Sequence, residues 1–201
     1  MNTRPFIGRY AVAAAFALVL FPLGAGAQAL KIDADHSSVS FRVRHLFTKV
    51  QGRFQKLEGQ IVFDEKTLDA SRVNATIQAA SIDTNVEARD KDLRSKRFFD
   101  VERYPTLTFV SSSITGVAGS KGQLRGTLSM HGVSKEVVLE TEFLGKGKDP
   151  WGNTRYGFHA EAKVNRKDFG MAWNEALEAG GVLVGDEVEI LLDIEAVPAQ
   201  P

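Results

Sequence analysis

Apolar and polar residues alternate along most of this chain, and this pattern limits the folds available to it more than any other feature. Between Ser38 and Arg44 every odd-numbered residue is apolar and every even-numbered residue is polar, as in a strand with one buried face. The same alternation recurs in residues 73–79, 124–130, 158–164 and 188–196. Shorter strands are predicted around residues 50–54, 59–63, 107–111 and 136–143. About eight strands separated by turn signals predict an all-β domain, an antiparallel meander closed as a barrel or a sandwich.

One charged segment departs from this pattern. Residues 84–100 have only a thin apolar stripe, with acidic residues early and basic residues late, which predicts a short helix. Thr84 and Asn85 are suited to its N-cap. A helix with so little apolar surface does not belong in a core. We therefore expect it to cover one end of the strand-rich body as a lid, with Phe98 or Phe99 plugging the barrel beneath it.

The first 29 residues have the pattern of a secretory signal peptide. Arg4 and Arg9 precede an apolar run that is short for a membrane span, and small residues follow it. We expect cleavage after Ala29, with Ala27 as the alternative site and an uncleaved anchor as the less favoured outcome. Residues 30–201 are then predicted to form a single domain, because no linker or internal repeat divides them.

Composition excludes several functional classes. The chain has no cysteine, so it forms no disulfide and no thiolate metal site. Removing Arg4 and Arg9 from the 25 basic side chains leaves 23 against 25 acidic ones, a net charge of −2. Nucleic-acid binding requires a basic excess for phosphate contacts, so no nucleic-acid partner is expected. No motif predicts a metal or a resident cofactor.

The predicted inward face mixes large and small side chains. Its large members are Phe41, Phe54, Phe63, Ile77, Phe109, Leu128, Met130, Leu139, Phe143, Phe158 and Ile190, and its small members are Ala75, Ala79, Gly126, Ala160 and Ala162. Such a mixture can fill a solid core. It can also leave room for an apolar guest, as in eight-stranded carriers. The alternation of residues does not separate these two interpretations.

Catalytic motifs are not evident. The four histidines, His36, His45, His131 and His159, are scattered, and none belongs to a His-Glu-x-x-His zinc motif. His45 continues the inward face of its strand and is expected near the mouth of the barrel. A hydrogen-bonded structural histidine is the simpler interpretation of it. We therefore predict no catalytic residues.

Short motifs along the chain form a recognisable set. They are Asp35-His36-Ser37-Ser38-Val39-Ser40-Phe41, Val43-Arg44-His45-Leu46, Gly52-Arg53-Phe54, Asn85, Arg89-Asp90, Leu93-Arg94-Ser95, Phe98-Phe99-Asp100-Val101, Tyr104-Pro105, Phe109, His131-Gly132-Val133, Asn165-Arg166, Asp168-Phe169-Gly170 and Gly185-Asp186-Glu187-Val188. With these residues the chain resembles the YceI family of bacterial periplasmic proteins, and the stretch from Asn85 to Phe109 is the most specific part.

The resemblance implies a lipocalin-like, eight-stranded antiparallel barrel with a helical cover. Its apolar cavity would hold a polyisoprenoid or other long-chain amphiphile, such as a quinone, a quinone precursor or a fatty amide, for transport, storage or sequestration. The predicted cavity residues are Phe41, Val43, Ile77, Phe98, Phe109, Leu128, Met130, Phe143 and Phe158. The predicted head-group residues at the mouth are His45, Asn85 and Arg89.

The same resemblance implies a periplasmic protein exported by the general route, not integral to the membrane and compatible with a homodimer. One position departs from the family: Asp92 stands where members commonly have histidine, which alters the charge beside the predicted head group. Two alternatives stay open. One is an enzyme acting on a bound lipid, with His45 or His131 beside Asp90 or Asp92. The other is a stress or adhesion module with a solid core.

Overall fold

The computed structural model describes residues 26–177 and 181–200. The predicted signal peptide therefore lies outside the described residues, apart from its last four positions. Within the described residues the chain folds as a closed, eight-stranded antiparallel barrel with one α-helix, which confirms the predicted fold class. No helix in this part of the chain combines the length and the apolar character that crossing a bilayer requires.

The barrel is built from strand segments that follow one another in an up-and-down order. The segments are β1 (Gln28–Ile32), β2 (Ser38–His45), β3 (Thr48–Phe54), β4 (Leu57–Phe63), β5 (Arg72–Gln78), β6 (Ile82–Asp83), β7 (Thr106–Ala118), β8 (Lys121–Met130), β9 (Val133–Lys148), β10 (Thr154–Asn165) and β11 (Val184–Pro198). The helix α1 (Glu87–Arg94) lies between β6 and β7.

Three pairs of segments each occupy one position of the barrel. β1 and β2 pair with successive parts of β11, while β4 pairs with β1 and β3 with β2. β5 and β6 likewise pair with β4 and β3. Pairing of Ile32 with Ala196 closes the ring. Between β1 and β2 the side chain of Asp33 accepts a hydrogen bond from the backbone N–H of Asp35, which forms a one-turn break in the strand.

The observed strands β7 and β9 are longer than the sequence predicts. Their outer parts, residues 115–118 and 144–148, still pair in the ladder, although most of their side chains are exposed. The hydrophobic alternation disappears there because neither face of these outer parts is fully buried. The two hairpins consequently project at one end of the barrel, which we name the turn end; the opposite end, covered by α1, is the helix end.

The helix begins later than expected, and its predicted N-cap is wrong. The N-cap residue is Val86, and Asn85 has a left-handed φ of 61°. Thr84 is a hydrogen-bond donor instead of a cap. Its backbone N–H and its Oγ1 donate to the buried carboxylate of Asp90, at 2.9 Å and 2.6 Å. A carboxylate in the first helical turn therefore accepts hydrogen bonds from a residue between β6 and the helix, and no cap side chain accepts one from the helix itself.

Candidate functional site

An apolar cavity of about 280 Å³ occupies the interior of the barrel. It reaches from the underside of α1 to the turn between β7 and β8. The structure places all nine predicted cavity residues in its lining: Phe41, Val43, Ile77, Phe98, Phe109, Leu128, Met130, Phe143 and Phe158. The even-numbered residues of β11 from Val188 to Ile194 line it as well, as their alternation requires.

The side-chain exposures agree with a hollow interior. Phe41, Ile77, Phe109 and Ala162 all face inward, yet each is only half-buried, because the cavity leaves part of its surface uncovered. A closed barrel with a solid core would bury such residues completely. Gly126 shows that not every small residue makes space for a guest. A Cβ there would stand 2.5 Å from the Phe109 ring, so that ring already fills the space.

Aromatic side chains close the cavity at the helix end. Leu93 of α1 and the following Phe98 and Phe99 belong to the lining, and Phe98 is buried. The Phe98 ring meets Trp173 edge-on at 5.3 Å, and the Phe99 ring meets Phe54 at 5.6 Å. These contacts agree with the predicted position of the phenylalanines under the helix.

A buried arginine reinforces the same end. Arg166 starts the short 3₁₀ helix Arg166–Phe169 and donates hydrogen bonds to the backbone oxygens of Gly185, Met171 and Trp173 and to a carboxylate oxygen of Asp186. Burial lowers the pKa of Arg166, and the charge of Asp186 partly offsets this effect. The guanidinium therefore ties the loop between β10 and β11 to the start of β11 and acts as a structural clamp.

The cavity reaches solvent at the turn end. Within residues 26–177 and 181–200, its exposed lining residues are Val117, Ser120 and Lys121, which all belong to the β7–β8 turn region. A second depression of about 410 Å³ adjoins this opening between residues 65–69 and 114–119. Leu68, Ile114 and Val117 are shared by the two spaces. The opening therefore lies between the β4–β5 loop and the β7–β8 hairpin.

Beside the opening, the β9–β10 hairpin stands on an aromatic cluster. The ring of Phe63 lies 4.7 Å from Phe143, 5.1 Å from Phe158 and 5.9 Å from Tyr156. The hydroxyl of Tyr156 donates a hydrogen bond to Gln28 in β1. This cluster therefore lies on the β9–β10 side of the turn end.

The outer wall carries a charged cluster that resembles a metal site in residue type. Asp33, His36 and Glu195 bring their ligand atoms within 4.8 Å of one another. The guanidinium of Arg155 donates to Asp33 and to Glu195, each at 2.5 Å, and holds the pKa of Asp33 below its usual range. The cluster is thus a salt-bridge network centred on a resident cation, which disfavours a second cation there.

The predicted head-group residues lie outside the cavity lining. His45 ends β2 and is half-buried, and Asn85 is exposed in the turn before α1. Arg89 donates from Nε to Thr84 Oγ1 at 2.7 Å and from Nη2 to the Thr84 carbonyl at 2.8 Å. The three residues share the helix end. Their proposed contact with a ligand stays a prediction.

Three of the four groups considered for catalysis have other partners. His131 Nδ1 lies 2.9 Å from the carbonyl oxygen of Phe169, and Asp90 is engaged with Thr84. Asp92 faces Arg97 at 3.4 Å. His159 bonds to Asp193 on the outer face of the barrel, as its outward alternation suggests. Within the described part of the chain, no histidine belongs to the cavity lining.

Sequence reasoning missed the residues that shape the opening. Leu68 and Ser120 lie between strands, and Val117 and Lys121 lie at the outer ends of β7 and β8, where no hydrophobic alternation marks an inward side. The signal that was available is local: Val117 is a β-branched apolar residue between Gly116 and Gly119, which both have positive φ. An apolar side chain in a tight glycine turn is unusual, because such turns are normally polar. The pattern does not by itself identify Val117 as part of a cavity opening.

Comparison with known proteins agrees with this architecture. The chain is 40% identical over 186 residues to Protein YceI of Salmonella agona, which covers 90% of this chain and 94% of that protein. The crystal structure of Burkholderia cenocepacia BcnA is similar, with a TM-score of 0.74 and 26% identity, covering 83% of this chain and 99% of that one.

Two further structures share the fold. The Campylobacter jejuni YceI protein has a TM-score of 0.67 and 26% identity, covering 96% of this chain and all of that one, 100%. A polyisoprenoid-binding domain from Saccharophagus degradans has a TM-score of 0.60 and 16% identity, and the match covers 86% of this chain and 99% of that domain. The model of the YceI-like domain matches residues 30–196, and the chain therefore belongs to the YceI-like family.

Proposed function

We propose that this protein binds a polyisoprenoid or another long-chain amphiphile in its barrel and transports, stores or sequesters it. The observation that carries the proposal is the continuous apolar cavity from α1 to the β7–β8 turn. An apolar tail buried there gains about 25 cal/mol per Å² of surface removed from water. The Saccharophagus degradans domain is described as polyisoprenoid-binding; at 16% identity it shares only the fold, so the cavity itself supports the proposal.

The tail is assigned to the nine cavity residues, because their side chains leave uncovered apolar surface along the barrel. A quinone, a quinone precursor or a fatty amide has the matching chemistry, a long apolar chain with one compact polar group. The nearest polar lining groups at the opening are Ser120 and Lys121. We place the head group there, and His45, Asn85 and Arg89 are the alternative position at the helix end.

The decisive experiment is mass spectrometry of lipids extracted from protein purified without a delipidation step. A prenyl or other long-chain species in stoichiometric amount is the expected result. An empty extract from protein with an intact thermal transition contradicts the proposal and favours a stress or adhesion module. A change in the bound lipid on incubation, with bonds broken or formed, favours an enzyme instead.

Two variants then distinguish the positions of the head group. Lys121→Ala should weaken retention of a lipid with a polar head, while Arg89→Ala should leave retention unchanged. The opposite result assigns the head group to the helix end, as the sequence predicts. A saturated hydrocarbon ligand without a head group is the control, since neither substitution should alter its retention.

We further propose a periplasmic location after removal of the signal peptide. Cleavage after Ala27 keeps β1 complete, including Gln28 with its bond to Tyr156, whereas cleavage after Ala29 removes two residues of that strand. The intact mass of protein recovered from the periplasm identifies the site. A homodimer stays a prediction of the resemblance, and sedimentation velocity measures it.

A further inference from the structure

The turn end exposes large apolar side chains beside the cavity opening. Trp151 at the tip of the β9–β10 hairpin is 81% exposed, Leu144 on β9 is 61% exposed, and Val117 on the β7–β8 hairpin is 43% exposed. Trp151 and Val117 belong to adjacent hairpins, since β8 pairs with β9. Exposed side chains of this size on one end of a domain indicate an interaction surface.

The exposure of Trp151 is fixed by an ordered turn. The Asp149 carboxylate accepts hydrogen bonds from the backbone N–H groups of Trp151 at 3.0 Å and Asn153 at 2.9 Å. It also accepts from the Asn153 side chain and from Arg155 Nε at 3.1 Å. These bonds hold the tryptophan on the outside of a rigid hairpin. The backbone that carries the indole is thus ordered before a partner binds, which lowers the cost of association.

Two lysines beside this surface, unpaired within the described residues, suit an anionic partner. Lys66, Lys121, Lys146 and Lys148 lie at the turn end. Lys121 is paired with Glu142, and Lys146 with Glu65. Among the residues that the structure describes, Lys66 and Lys148 have no carboxylate partner. Tryptophan with neighbouring lysines is the combination that settles at the interface of an anionic bilayer.

We propose that the turn end docks on an anionic phospholipid bilayer, with Trp151, Leu144 and Val117 entering the interfacial layer and the cavity opening facing the lipids. This inference rests on the proposed lipid-binding function. Val117 connects the two features, since it is both exposed and part of the cavity lining. A lipid tail would then pass between bilayer and barrel without crossing water, which avoids the cost of exposing it.

The opposite end supplies a matched control. Phe47, at the tip of the β2–β3 hairpin, is 97% exposed but does not line the cavity. Phe47→Ser and the double variant Trp151→Ser with Leu144→Ser therefore remove exposed apolar surface from opposite ends, and neither changes a residue of the cavity lining. In flotation with phosphatidylethanolamine–phosphatidylglycerol vesicles, the double variant should bind at least about tenfold more weakly than the unmodified protein. Phe47→Ser should bind as the unmodified protein does.

Three further readouts make the test specific. Lys148→Gln should weaken binding to these anionic vesicles about fivefold and leave binding to phosphatidylcholine vesicles unchanged. In Trp173→Phe, where Trp151 is the remaining one of the two tryptophans, vesicles should move the emission to shorter wavelength and brominated lipids should quench it. Unshifted emission, or loss of binding in Phe47→Ser instead of the double variant, overturns the proposal.

Transfer kinetics separate this proposal from the proposed function. Protein loaded with a fluorescent prenyl lipid should release it to vesicles more slowly in the double variant, at unchanged lipid content. Equal transfer rates would refute the docking surface and leave lipid binding intact. Failure of the unmodified protein to take up lipid would refute the proposed function, and absence of vesicle binding by the unmodified protein would refute the docking surface alone.

Discussion

Gly126 illustrates at the level of one residue how the interior is divided between wall and cavity. Gly126 faces inward on β8, against the ring of Phe109. A Cβ added at this position would also lie 2.6 Å from the carbonyl oxygen of Val110. The glycine therefore leaves room for the Phe109 ring against β8 instead of further into the cavity. Gly52 on β3 likewise leaves room for the ring of Phe41, its cross-strand neighbour on β2.

Replacing Gly126 should be costly for this reason. We expect Gly126→Ala to lower the free energy of unfolding by about 1–3 kcal/mol, because Phe109 must leave its position and the backbone contact cannot yield. Urea denaturation measures the change. Gly147→Ala is the control, since nothing lies within 4 Å of a Cβ at that position of β9, and stability should be unchanged or slightly higher. Equal stability of both variants would contradict this view of the wall.

Single residues also show what the sequence could predict. Inward positions such as Phe41, Ile77 and Phe158 follow from alternation alone, since a strand of a closed sheet has one inner face. The roles of Thr84 and Arg89 do not follow from it. Thr84, before the helix, is hydrogen-bonded to Arg89 and Asp90 inside it. The guanidinium of Arg89, which the sequence suggests as a head-group donor, therefore already stabilises the fold.

Among the elements, α1 is the one whose function depends most on its neighbours. Its existence and its place over the barrel end follow from the charged segment and the phenylalanines after it. Its start does not, because Asp90 and not an N-cap side chain satisfies Thr84. Arg94 fastens the helix by donating to the carbonyls of Ala80 and Ile82 at 2.9 Å and 2.7 Å. The lid is thus fixed at both ends.

Phe98 tests whether the lid also contributes to binding. Truncating a phenylalanine in a filled core to alanine lowers the free energy of unfolding by about 3–5 kcal/mol. Because the Phe98 ring lines the cavity, we expect Phe98→Ala to cost less than this and to lose bound lipid or exchange it faster. Lipid content and exchange rate are measured beside urea denaturation. Phe169→Ala, at a fully buried position outside the lining, should show the full loss of stability. Unchanged lipid content and exchange in Phe98→Ala would make the lid purely structural.

The β9–β10 hairpin should respond to acid in a defined range. Hydrogen bonds from Asn153, with further bonds from Arg155 and Trp151, lower the pKa of Asp149 from 3.8 to about 2. A carboxyl group whose pKa is lowered on folding stabilises the folded state above the unfolded pKa and loses this effect as the pH falls through the folded one. Stability should therefore decrease between about pH 4 and about pH 2. As the pH is lowered through this range, the urea midpoint of Asp149→Asn should decrease less steeply than that of the unmodified protein. Asp69→Asn is the control, because it also loses one charge but should keep the slope of the unmodified protein. An identical slope in both variants would refute the assignment.

For the whole molecule, the hollow interior was the property that sequence could not establish. Mixed large and small inward residues agree equally with a solid core and with a cavity, because volume depends on how far opposite walls stand apart. Strand number and closure decide that distance, and both are properties of the complete barrel. The position of the opening depends in turn on Leu68 in the β4–β5 loop and Val117 at the outer end of β7, where the sequence has no periodic signal.

Filling the barrel separates the two kinds of interior directly. Ala162 lines the cavity from β10, and Ala162→Phe adds a ring to the space that the tail would occupy. In a filled core such an insertion costs about 1–3 kcal/mol, whereas in a hollow barrel it should cost little and sharply reduce the lipid recovered by extraction. Glu161→Phe adds the same ring on the exposed outer face of the same strand, and it should leave lipid content unchanged. A destabilised Ala162→Phe that still carries its lipid would mean that the ligand lies elsewhere, because a tail and a phenylalanine ring cannot share one cavity of about 280 Å³ without displacing each other.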